Sequence, residues 1–186
     1  FSIEKDTYQA ICDSVHITCM VSKERIISEI FRLVQGQQVL RALLLLNSTG
    51  LLSRLVPELE NSYIFSSRKQ EIAFLKFLRE VLQRTNETDL ELRMALIFAL
   101  DLKYFENLTS GKTFNYEILE KRVAQCLLIG QRYRFSAKTL KTIAHLVRWS
   151  FFPYDIVDWN DVHVRIFIYH VGIDNLDRLF AFWNAV

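Results

Sequence analysis

Between Val21 and Glu58 the chain reads VSKERIISEIFRLVQGQQVLRALLLLNSTGLLSRLVPE, and the spacing of its apolar residues leaves little choice of secondary structure. Ile26, Ile27, Ile30, Phe31, Leu33 and Val34 recur at three-and-four spacing behind Ser22, a residue whose hydroxyl can cap a helix start. Gly36 predicts the end of that helix. A second helix carries Val39, Leu40, Leu43, Leu44 and Leu46, and Gly50 stands where a C-terminal cap needs positive φ. A short turn from Leu51 to Val56 then stops at Pro57. Three helices in quick succession need partners for their apolar faces, so the rest of the chain must cover them.

The rest is suited to that. Five Gly and two Pro in 186 residues are few breakers, and 51% hydrophobic residues exclude disorder. The fold class predicted is all-α. The longest apolar run, Met94 to Leu100, is too short to cross a bilayer, which argues against a membrane protein. Cys12, Cys19 and Cys126 are odd in number and lack metal-ligand spacing. Free thiols in a reducing, cytoplasmic setting are expected.

In chain order, a first helix runs from about Lys5 to Val15 with Tyr8, Ile11 and Cys12 on one side. A polar link, Glu60 to Ser66, precedes a capping box of Ser67 and Gln70 and a helix burying Ile72, Leu75, Leu78 and Leu82. Thr88 with Glu91 predicts a second box, opening a helix from Leu90 to Tyr104 that is apolar almost all round and so central to the core. A loop around Thr109 to Thr113 leads to a helix from Tyr116 to Leu128, ended by Gly130. Ser136 caps Ala137 to Arg148. Phe152, Pro153 and Tyr154 break the chain, Asn160 starts a helix ending near Gly172, and Asp174 caps the last one.

The net charge of +2 hides an asymmetry. Residues 111–150 set Lys112, Lys121, Arg122, Arg132, Arg134, Lys138, Lys141 and Arg148 against Glu117 and Glu120 alone, whereas residues 151–186 are acidic. At 100° per residue Lys138, Lys141, His145 and Arg148 fall within an arc of roughly 80°, opposite Leu140, Ile143, Ala144 and Val147. Such a helix docks one face and offers a cationic row, with Arg132 and Arg134 just upstream, to successive phosphates. The plainer alternative is a stripe that only keeps a surface wet. His163 and His170 have no third ligand spaced to join them, so no metal site is expected there. Trp149, Trp159 and Trp183 lie beside phenylalanines, which favours core or interface over stacking on bases.

The order of punctuation adds a family. Phe1, then Ser22, Glu24, Arg25, Ile26 and Glu29, then Ala42, Leu43, Leu45, Leu46, Gly50, Leu51 and Leu52, then Leu55, Pro57, Glu58 and Leu59 fall in step with a pattern of the class II nucleotidyltransferases. The chain resembles the neck, body and tail of bacterial CCA-adding enzymes and poly(A) polymerases. The likeness extends through LRMALIFALDLK, RFSAKTLKTIAHLVRWSFFPY and DVHVRIFIYHVGIDNLDRLFAFWNA. It implies lower neck and first body helices over 1–60, a helical body over 61–150 and the start of a tail over 151–186. Many relatives keep a histidine-aspartate metal site in the body; the corresponding positions here are Ala99, Leu100, Tyr116 and Trp149, which cannot supply those ligands. The body would be a degenerate histidine-aspartate-type region retained as scaffold.

The resemblance also implies a division of labour. The carboxylates that hold Mg²⁺ and the site for ATP or CTP would lie in a catalytic head domain before Phe1, so this stretch is expected to need no cofactor of its own and to be silent alone. Glu24, Arg25 and Glu29 would brace the neck under the nucleotide pocket; on physical grounds they serve equally as a salt-bridged helix start, with Arg25 pairing Glu29. The expected partner is the 3′ end of tRNA or another RNA, gripped through Arg132, Arg134, Lys138, Lys141, His145 and Arg148. A helical protein-interaction module built on the same scaffold is the alternative.

Overall fold

The structure is a computed structural model that describes residues 3–59, 68–101, 105–106, 116–151 and 159–186. Among these the chain is helical and has no strand, an all-α fold. The Ser67–Gln70 box, the Glu60–Ser66 link, the Thr109–Thr113 loop and the Phe152–Tyr154 break lie outside the described residues.

The first elements follow their local signals. Helix α1 (Lys5–Asp13) passes through a 3₁₀ turn (Val15–Met20) into α2 (Lys23–Val34), where Ser22 Oγ accepts from the Arg25 amide at 3.3 Å. Helices α3 (Val39–Ser48) and α4 (Leu51–Leu55) meet at Gly50, whose φ of 78° is the left-handed geometry that glycine adopts without a Cβ penalty. The Tyr8 hydroxyl donates to the Ser48 carbonyl at 2.7 Å and fastens α1 to the end of α3.

The core is built around α6 (Leu90–Ala99), which is buried from Leu92 through Ala99. Its N-cap is Asp89, whose carboxylate accepts from the Leu92 amide at 3.1 Å; this corrects the expected Thr88–Glu91 box. Thr88 is turned instead onto Asn86, its amide and its hydroxyl both donating to Asn86 Oδ1. The helix also stops at Ala99, short of the expected Tyr104. Around it pack α5 (Arg68–Gln83), α7 (Tyr116–Arg132), α8 (Ala137–Trp149), α9 (Asp161–Val171) and α10 (Ile173–Ala185), with α8 held against both α6 and α7. Phe74, Leu78, Leu96, Ile143, Leu146, Leu179 and Phe182 are fully enclosed. Each contributes about 1.5–3 kcal/mol by leaving water.

Two further punctuation signals act differently from expectation. Gly130 does not end α7 but lies inside it: a Cβ there would meet Leu140 Cδ1 at 2.3 Å, so the missing side chain is what lets α8 approach. Asp174 sits in the first turn of α10, and the cap position belongs to Gly172. Asn160, by contrast, caps α9 as expected, accepting from the Val162 and His163 amides. The tryptophans join helices. Trp149 meets Phe167 edge-on at 5.5 Å, Phe167 stacks on Trp183 at 5.8 Å, and the Trp183 indole donates to the Trp149 carbonyl at 3.1 Å.

Candidate nucleic-acid interface

Helix α8 begins where Ser136 Oγ accepts from the Thr139 amide at 3.0 Å. Burial of Ile143, Leu146 and Val147 fixes its rotation, and Lys138, Lys141 and Arg148 are therefore left on the solvent side. His145 departs from that row. It is only part-exposed, and its Nε2 is buried with no hydrogen-bond partner. Burial, with help from Arg148 and Lys141, holds its pKa below the usual imidazole value. His145 is thus a neutral edge of the core, not a fourth cation.

The arginines expected to join the row are committed elsewhere. Arg148 forms a two-pronged pair with Glu120, Nε to Oε1 and Nη2 to Oε2 at 3.1 Å each. Arg132 makes a two-pronged pair with Glu58, one arm at 3.1 Å, and that hydrogen bonding raises its pKa. Arg134 Nη1 donates to Glu24 at 2.8 Å. Lys138 and Lys141 are the members of the set that have no carboxylate partner among the described residues.

These pairs weld the turn after α7 onto the N-terminal helices. The Phe135 amide donates to the Gly130 carbonyl at 2.8 Å and the Arg134 amide to Gln131, the double closure of a helix end whose left-handed residue is usually glycine. Here that residue is Arg134, at φ 56°, a conformation costing a non-glycine residue about 1–2 kcal/mol. Two contacts across to α2 retain it: the Arg134–Glu24 pair and the edge-on packing of Phe135 against Phe31 at 5.2 Å. Glu24 thus ties α2 to the body over 110 positions of sequence. Glu29 pairs with Arg32 at 3.2 Å, not with Arg25 as expected, and the Arg25 side chain is exposed.

At the positions of the relatives' metal site, Ala99 and Leu100 are buried and apolar, Trp149 packs on Phe167, and Tyr116's side chain lies outside the described residues. The Ala99 carbonyl accepts from Arg122 Nη1 at 2.7 Å, and Arg122 also bonds Asp101 and lies over Phe151 at 5.4 Å. Among the described residues no three His, Cys, Asp or Glu side chains converge. Cys126 is a buried free thiol, its pKa pushed up to about 12 by burial, and Cys12 is free; the side chain of Cys19 lies outside the described residues. No described helix is long and apolar enough to cross a membrane.

An all-helical body tied by ion pairs to a helical N-terminal segment is the class that this geometry defines. Residues 1–63 match the family model described as "Probable RNA and SrmB- binding site of polymerase A", and over that segment the match supports a C-terminal region of the poly(A) polymerase and CCA-adding family. That description supports RNA as a partner. Among curated proteins and among solved structures nothing matches the chain.

The matched segment lies upstream of every cation on α8. It carries its own, missed by charge counting because they are scattered: Lys23, Arg25, Arg41 and Arg54 are exposed and lack an ion-pair partner among the described residues. The signal that would have found them is the family pattern itself, which runs through Arg25.

Proposed function

We propose that the chain holds and positions the 3′ end of tRNA or another RNA for a template-independent nucleotidyltransferase. In this reading nucleotide addition, with Mg²⁺ and ATP or CTP, belongs to a catalytic head joined before Phe1. The observation that carries the reading is the match of residues 1–63 to the RNA-binding region of polymerase A. Support comes from the unpaired Lys138 and Lys141, which face solvent on the helix that follows the turn tied to that region by Arg132 and Arg134.

Salt titration of RNA binding tests it. Each phosphate contact to a single strand contributes about 0.7 to the slope of log affinity on log salt. Lys138→Glu with Lys141→Glu should weaken binding uniformly across sequences and flatten that slope by about 1.4. Unchanged affinity and slope would remove α8 from the interface, and absence of any salt-sensitive RNA binding would sink the reading itself.

A second reading has one specific observation behind it. Val162, Ile166 and Tyr169 stand at helical spacing on α9 and are exposed by 60%, 51% and 82%. An apolar stripe of this kind suits a protein partner. Salt-independent binding to a protein, lost in Ile166→Asp with Tyr169→Asp, would favour this reading.

A further inference from the structure

A second group of cations lies between α3, α5 and the start of α6, all of which precede α8 in the chain. These elements enclose a cleft of about 600 Å³. That volume is in the range of small-molecule sites, roughly 300–1,000 Å³. Arg93 is in its wall, and Arg93 is the anomaly of the fold: it stands in the middle of the apolar α6, is 2% exposed, and its Nε and Nη1 are buried with no hydrogen-bond partner.

Such a group needs a reason. An arginine keeps its charge even when buried, so folding has taken Nε and Nη1 of Arg93 out of water without giving either an acceptor. Burial pulls its pKa down, and the carboxylate that opposes this, Glu87, acts across space without closing an ion pair. Every other buried cation here is matched: Arg122, the other arginine of the core, has a carboxylate and a carbonyl. Two more arginines, Arg41 on α3 and Arg79 on α5, line the same cleft and are exposed. Three guanidinium groups thus face one carboxylate, and the planar fork of each matches the oxygens of a phosphate.

The remaining lining sets the rest of the ligand. Leu44 and Leu75 give the cleft an apolar wall that fits the face of a base or ribose, and the amides of Gln38 and Gln83 can donate to and accept from base edges. We propose that this cleft is a nucleotide site in which Arg93, Arg79 and Arg41 take the phosphate and the leucine wall takes the nucleoside. The phosphate reaches it either on a free nucleotide or on the terminal unit of an RNA strand. The proposal stands on the cleft and on Arg93, and does not need the lysines of α8.

The test is titration calorimetry of the whole chain with inorganic phosphate, AMP, adenosine and oligo(A) at constant ionic strength. AMP and phosphate are expected to bind saturably and adenosine much more weakly than AMP. Arg93→Met should lower AMP affinity about tenfold or more, the loss that follows removal of one charged hydrogen-bonding group. Arg79→Gln, on the exposed rim and without consequence for the core, should lower it severalfold. Lys138→Glu with Lys141→Glu should leave AMP binding unchanged, which separates this site from the α8 surface. In the unsubstituted chain, displacement of AMP by oligo(A) assigns the phosphate to an RNA end, and AMP that saturating oligo(A) cannot displace assigns it to a free nucleotide. No saturable binding of phosphate or AMP, or equal AMP affinity in the unsubstituted chain and both arginine variants, overturns the proposal.

Discussion

The outer face of α8 and the core arginine Arg122 show opposite fates for the same kind of charge. On α8 the cations are at the surface, and where a partner exists it is also at the surface: Arg148 and Glu120 are 46% and 37% exposed. Inside, Arg122 is 5% exposed and its partner Asp101 27%. Water screens the first pair, so its two charges are nearly as comfortable apart as together. The second pair has lost that alternative, and each member is there on the condition that the other is. Arg93 is the case between, buried like Arg122 but left open like Lys138. Positive charge along the chain is therefore a poor guide to the positive surface a polynucleotide meets; what counts is which cations the fold has already paired.

Removing the inner carboxylate should separate the two pairs most widely. Asp101→Ala should cost about 3–5 kcal/mol, because it takes a carboxylate away from the buried charge of Arg122. Urea unfolding followed by tryptophan fluorescence measures it, and a loss below about 1 kcal/mol would mean that Arg122 is solvated like a surface residue. One step down, Glu58→Gln breaks the two-pronged pair with Arg132, whose partners are 13% and 35% exposed. A loss of about 1.5–3 kcal/mol is expected, in proportion to intermediate burial.

These pairs also mark where reading the sequence succeeds and where it stops. The caps at Ser22, Ser136 and Asn160 and the left-handed Gly50 depend on neighbours within four residues, and α6 as a core helix depends only on its own apolar run. Those were legible. The period of α8 likewise tells which side of it is cationic. It cannot tell that Glu120 from one helix away will claim Arg148, or that Glu58 and Glu24 will cross 74 and 110 positions to claim Arg132 and Arg134. Helical period names a face and is silent about what covers it. Gly130 was misread for the same reason, since a glycine that ends a helix and one that admits a neighbour look alike until Leu140 is in place. Arg93 was hidden by company: inside Leu-Arg-Met-Ala-Leu it passes as one polar interruption of a core helix.

His145 offers a smaller effect with a definite sign. Its folded pKa lies below the ordinary 6.5, so over the interval between the two values the unfolded chain binds a proton that the folded one refuses. Stability must then fall as pH drops through about 6.5 and level off once pH passes below the folded value. Urea midpoints measured from pH 7.5 to 5 should show this decline, and His145→Leu should flatten it. A decline of the same size in His145→Leu would place the imidazole in water, titrating alike in the folded and unfolded chain.

The smallest change in stability is expected at Glu120, and there the gain is in discrimination. Glu120→Gln leaves Arg148 without its carboxylate but still at the surface, where water replaces the lost partner. Stability should move by no more than about 0–1 kcal/mol. The charge it liberates sits two turns from Lys141, so RNA affinity at low salt should rise and the salt slope steepen by about 0.7, one added phosphate contact on a single strand. If instead the unfolding midpoint falls as it does for Asp101→Ala while RNA binding stays the same, Arg148 belongs with Arg122 as a structural cation, and the face open to RNA shrinks to Lys138 and Lys141.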